Sequence, residues 1–321
     1  MRVAQLHRPL IVVAALMAAL AVLAAAGIAV DDRMLVGAPI WLKPLKFAVS
    51  ITVYAVTIAW MVSLLDRHRR FGWWLGTVIA ATMLIEMVVI VGQAARGHQS
   101  HFNNQTPLDA TLFSIMGATI AIAWLATLGL AILLLIQRLP DRADTLAVRF
   151  GLLVGLGGMA VGFLMTMPTK AQLAEESPGI VGAHSVGVAD GGPGLPLVNW
   201  STTGGDLRAG HFIGMHALQA LPLLAFSLTL LSRRLPRLRA GRVRTRLVVV
   251  AGLAYAGLTV LVTWQALRGQ PLIHPDALTL AVAGGLLLAT AGGVVRAVAP
   301  TGDTEDIEDT AAPAPVPAEV A

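Results

Sequence analysis

Along the 321 residues, apolar positions gather into eight runs of about 20, separated by short polar breaks. A helix rising about 1.5 Å per residue needs about 20 apolar residues to cross a ~30 Å hydrocarbon core, so each run reads as a spanning helix. The pattern predicts spans over residues 9–30, 44–65, 72–93, 109–137, 146–168, 206–231, 246–267 and 276–298. The alternating segments of about ten residues that a membrane barrel requires are not found. The expected fold is therefore all-α, a polytopic bundle of eight transmembrane helices forming one domain over residues 1–298.

Local signals refine these spans. The first run exceeds the 7–15 apolar residues of a secretory signal and reads as a retained helix. Pro44 suits a first helical turn, and Asp109 and Asp206 suit N-caps. The Gly-rich centre of the fifth span, 155–162, suits close helix packing. Residues 170–205 form the one long connection, with Gly-Gly-Pro-Gly at 191–194, and read as a lid or binding loop. Residues 299–321, rich in Pro, Ala and acidic side chains, read as a disordered tail.

Composition agrees with the pattern: 56% of residues are hydrophobic and 13% charged, against about 25% charged in a soluble domain. The net charge of +5 is not a nucleic-acid surface, because the basic residues lie in short loops beside apolar runs. Placing alternate loops in the cytoplasm collects 16 basic residues there against seven on the other side. Both termini are thus expected inside a cytoplasmic membrane, with the 170–205 connection outside. The lipid bilayer is the expected partner and nucleic acid is not. With no cysteine, thiolate metal sites and disulfides are excluded.

That orientation sends His98, His101, His184, His211, His216 and His274 to the outer half. All three lysines, Lys43, Lys46 and Lys170, fall on the same side. Ionisable groups inside a membrane are costly and by default functional. Counting inward at 1.5 Å per residue puts Glu86 about 10 Å and His216 about 15 Å deep, so a Glu86–His216 pair is expected. His211 and His216, five residues apart, point about 140° apart and cannot chelate one ion together.

The first expectation is a haem b or His-ligated metal site in a membrane redox role, with His211, His216, His98 and His101 as ligands. Eight helices with histidines in the outer half resemble haem-handling membrane proteins at the level of fold alone, and no motif of such a family is matched. The alternative is a small-solute or proton-coupled transporter. It would use the same outer cavity, with Glu86, Gln219, Lys46, Gln93, Asn103, Asp206 and Arg208 as its polar lining. A third class is a non-enzymatic membrane partner protein acting through the acidic tail.

Overall fold

The computed structural model describes residues 6–299. The tail expected at 299–321 therefore lies, from residue 300 on, outside the described residues. Among the described residues ten α-helices are formed: α1 Arg8–Val30, α2 Leu42–Ser63, α3 Arg69–Arg96, α4 Pro107–Ile136, α5 Arg142–Met165, α6 Lys170–Leu173, α7 Leu207–Met215, α8 Ala217–Leu231, α9 Gly241–Leu267 and α10 Ala277–Val298. Seven of them are long and apolar enough to cross a membrane, and the bent pair α7 and α8 qualifies when counted as one span. The chain is a multi-pass membrane protein.

The expected 206–231 helix is broken: α7 and α8 meet at His216 with a bend of 40°. A side chain enters the ladder at this point: Tyr255 of α9 donates its hydroxyl to the carbonyl of Ile213 at 2.8 Å, the carbonyl that the Ala217 amide would otherwise use. Pro222, six residues beyond the break, leaves the carbonyl of Leu218 without its helical donor as well. The last ordinary bond before the break runs from the His216 amide to the carbonyl of Phe212, and beyond it the amides of Gln219 and Ala220 both turn to the carbonyl of His216.

Two layers of packing hold the bundle. Leu10, Ile58, Ile79, Ile90, Leu130 and Leu152 belong to one core shared by α1 to α5. Ala147, Leu221 and Val248 join α5, α8 and α9 in a second. The Gly-rich centre of α5 does what close packing requires. A Cβ on Gly158 would collide with the backbone of Gly214 and Met215, so the crossing of α5 and α7 depends on both glycines. α10 packs chiefly on α9, and Leu287 and Leu288 on it are exposed in the way lipid-facing residues are.

The N-cap of α4 differs from expectation. Thr106, not Asp109, is the cap: its Oγ1 accepts from the Asp109 amide at 3.1 Å and donates to Asp109 Oδ2 at 2.7 Å, with Pro107 in the first turn. Asp206 caps α7 by accepting from the Arg208 amide at 3.0 Å.

The segments 31–41, 97–106, 166–206 and 268–276 gather at one end of the bundle. Arg33 donates to the carbonyl of Ala95, and the Asn104 amide to that of Gly179. The long connection is ordered rather than bare loop. It carries α6, a two-residue strand β1 at Ser185–Val186 paired antiparallel with β2 at Gly205–Asp206, and a bridge between Asn103 and Ile180. Gln172 clamps Gly182 by bonding both its N–H and its C=O at 3.0 Å. Lys46 donates to the carbonyl of Val198 at 3.0 Å, tying this cover to α2.

Candidate functional site

Beneath the cover lies a cavity of about 420 Å3 enclosed by α2, α3, α4, α5 and α7. Its walls are mainly apolar and aromatic, with Phe47, Tyr54, Met83, Phe113, Trp124 and Met159 among them. A smaller vestibule of about 160 Å3 sits on the loop side, where Lys43, Lys46, His98 and Asp190 line it. Phe47, His101, Phe102, His184, Arg208 and Phe212 line both spaces and form the septum between them. A largely apolar pocket of this size with a few convergent polar groups is what a small-molecule site requires.

Two buried carboxylates on adjacent helices behave in opposite ways. Asp109, fully buried, is saturated: Gln93 Nε2 donates to it at 2.8 Å, Thr106 Oγ1 at 2.7 Å and Arg96 Nη1 at 3.2 Å, and His98 Nδ1 lies 3.5 Å away. Glu86, 1% exposed, lines the cavity, and among the described residues neither of its oxygens has a hydrogen-bond partner. Its nearest ionisable neighbour is His101, with Nε2 3.4 Å from Oε1. A buried polar group left unpaired costs about 1–3 kcal/mol, more if charged. Asp109 and Gln93 therefore bond one another and their neighbours, whereas the Glu86 carboxyl lies in the cavity wall without a hydrogen bond among the described residues.

The expected Glu86–His216 pair is not formed. His216 stands at the α7–α8 bend, where its Nδ1 bonds Gln219 Oε1 at 3.2 Å while Gln219 Nε2 donates to Thr57 Oγ1 of α2 at 3.1 Å. The rise per residue could not show that His101, from the 97–106 turn, folds down over Glu86. His101 is fixed by Ser100 Oγ, 3.0 Å from Nδ1, and by Phe47, whose ring centroid is 5.5 Å away. Burial, assisted by the charge of Lys43, pushes the His101 pKa below its ordinary 6.5, with Glu86 opposing.

The four histidines expected as ligands do not converge. His101 and His211 reach the cavity, His98 lines the vestibule beside Asp109, and His216 joins Gln219 and Thr57. Among the described residues, no group of three or more His, Asp or Glu side chains could hold a metal ion. The other expected polar residues make bonds within the protein, and Lys46 and Arg208 line the spaces as well. Asn103 donates to the carbonyl of Gln99 and accepts from the Gln105 amide. Arg208 binds Asp206 at 2.6 Å and the carbonyl of Asn199 at 2.6 Å, fastening the end of the cover to α7.

Sequence reasoning left His184 and Phe102 out of the site. His184 Nδ1 donates to Asp190 Oδ2 at 3.0 Å, and the amides of His184 and Ser185 bond the same carboxylate. Burial pulls the pKa of His184 down to about 4, with Arg208 and Lys43 assisting and Asp190 opposing. Phe102 packs on His184 at 4.8 Å and has a positive φ of 62°, a conformation that a bulky residue adopts only when its surroundings impose it. The cue was positional, since Phe102 follows His101 and His184 lies midway along the one long connection. His211 Nδ1 donates to the carbonyl of Gly158 at 2.9 Å, a carbonyl reachable because the α5–α7 crossing is so close.

No family model, curated protein or solved structure matches the chain, and the reading of the site rests on this geometry.

Proposed function

We propose that the bundle binds a small, largely apolar molecule bearing an oxygen head, and that Glu86 hydrogen-bonds that head and exchanges a proton with it. The observation that carries this reading is the Glu86 carboxyl, which among the described residues has no hydrogen bond and only His101 beside it, in the wall of a mainly apolar cavity. Ionised, Glu86 accepts from a ligand hydroxyl; protonated, it donates to a ligand carbonyl. The proton then moves between the ligand oxygen and Glu86, with His101 the next group toward the vestibule. Quinol and quinone heads have this chemistry: an apolar ring whose oxygens gain and lose protons.

The topology that goes with this role is eight spans with both termini in the cytoplasm and the loop cover outside a cytoplasmic membrane. The 16 basic residues that this arrangement places inside, against seven outside, support it. The test of the binding reading uses decylhydroquinone on the purified full chain, counted by native mass spectrometry. One molecule should bind, and Glu86→Gln should weaken it about tenfold, or about 1.4 kcal/mol. Absence of binding to the wild-type chain would overturn the reading.

A second reading has its own observation. His184 and His211 both line the cavity, and each commits Nδ1 elsewhere, which leaves Nε2 as the free nitrogen. That is how ligating imidazoles are oriented, so these two are the pair that would hold a haem. A Soret band in the purified protein that His211→Ala abolishes would establish it in place of the quinol reading.

A further inference from the structure

The walls of the cavity are not closed all round. The face of α4 that lines it follows a helical stripe through Phe113, Gly117, Ile120 and Trp124, and α5 faces it with Met159, Gly162, Phe163 and Thr166. Within these two stripes Gly117 and Thr166 are exposed, and Phe163 is 37% exposed. Ser114, one turn before Gly117, is exposed too. A Cβ on Gly117 would meet nothing within 4 Å. Toward the far end the gap is shut, where Trp124 Nε1 donates to the carbonyl of Leu156 at 3.2 Å and its ring packs edge-on to Phe163.

The level of this slot follows from one hydrogen bond. Gln93 of α3 and Asp109 of α4 are joined at 2.8 Å and mark a common height. At 1.5 Å per residue, Glu86 lies about 10 Å and Gly117 about 12 Å further into the bundle. The opening therefore faces the hydrocarbon region at the depth of the unpartnered carboxyl, while the loop cover lies over the aqueous end.

We infer that the ligand is a lipid-tailed molecule that enters from the bilayer through the slot between α4 and α5, its oxygen head on Glu86 and its chain left in the slot. This rests on the binding reading above and adds the source, the route and the tail. A tail in contact with lipid stays in an apolar surrounding, so the head alone must be desolvated on entry. A water-borne ligand would instead have to displace the cover that Lys46, Asp206 and Arg208 hold down.

The experiment compares decylhydroquinone with methylhydroquinone, which has the same type of head and no chain, on the full chain in lipid nanodiscs. Wild type should bind the decyl probe at least tenfold more tightly than the methyl one. Gly117→Trp, which fills the slot, should weaken the decyl probe at least tenfold, and Gly117→Ala should bind as wild type does. Ser114→Trp serves as the second plug if Gly117→Trp lowers the unfolding temperature. Wild-type affinity for the decyl probe in stable plugged variants would overturn the lateral route and leave the cavity reading standing. Failure of the wild-type chain to bind either probe would overturn both.

Discussion

Glu86 Oε1 lies 3.4 Å from His101 Nε2, yet among the described residues the carboxyl makes no hydrogen bond. The pair joins the middle of α3 to a turn that folds back over it. The imidazole belongs to both the vestibule and the cavity, so it connects the buried carboxyl with the loop-covered end.

The contrast with Asp109 gives a first prediction. Asp109→Ala removes acceptors used by Gln93, Thr106 and Arg96 and should destabilise the protein by about 1–3 kcal/mol. Glu86→Gln removes a buried group that has no hydrogen bond to lose, and should leave the unfolding temperature unchanged or raise it. Thermal unfolding of the two variants in one detergent checks this; an equal loss in both would make Glu86 a structural residue.

A second concerns pH. His184 in the folded loop has a pKa near 4, below the ordinary 6.5, because burial disfavours the imidazolium. The folded state thus prefers the neutral ring. Its contribution is complete above about pH 6.5 and declines as pH falls toward 4. Hydrogen exchange of the His184 and Ser185 amides, corrected for intrinsic rates, should be faster at pH 4.5 than at pH 7. Equal protection at both would refute the assignment.

The crossing of α5 and α7 supports a third. Gly158→Leu places a side chain where the backbone of Gly214 and Met215 already lies, so the helices must separate and His211 must lose the Gly158 carbonyl. Overpacking of this kind costs about 1–3 kcal/mol or more. Gly92→Leu, on α3 with open space around it, is the control expected to keep the wild-type unfolding temperature.

The long helices were legible because a 20-residue apolar run admits little else in a bilayer; the observed ends differ from the expected ones by a few residues, as at 72–93 against Arg69–Arg96. The break at His216 was not legible, because a hydropathy run carries no mark of a bend and the Tyr255 hydroxyl that takes the Ile213 carbonyl comes from another helix. The rise per residue put Glu86 and His216 near one level on the assumption of an unbroken helix from Asp206, and the helix breaks at His216. Which way each side chain faces across the bundle was not legible, and there His101 took the position expected of His216. His184 and Asp190 were harder still. Their contact depends on how a non-periodic loop closes, for which the sequence has no repeating signal.

In the proposed site Glu86 meets the head of the bound molecule. Infrared difference spectroscopy of the full chain with and without decylhydroquinone observes that carboxyl directly. A shift in a carboxyl or carboxylate band on binding, lost in Glu86→Gln, is the predicted result. A difference spectrum that is the same in wild type and Glu86→Gln would contradict it.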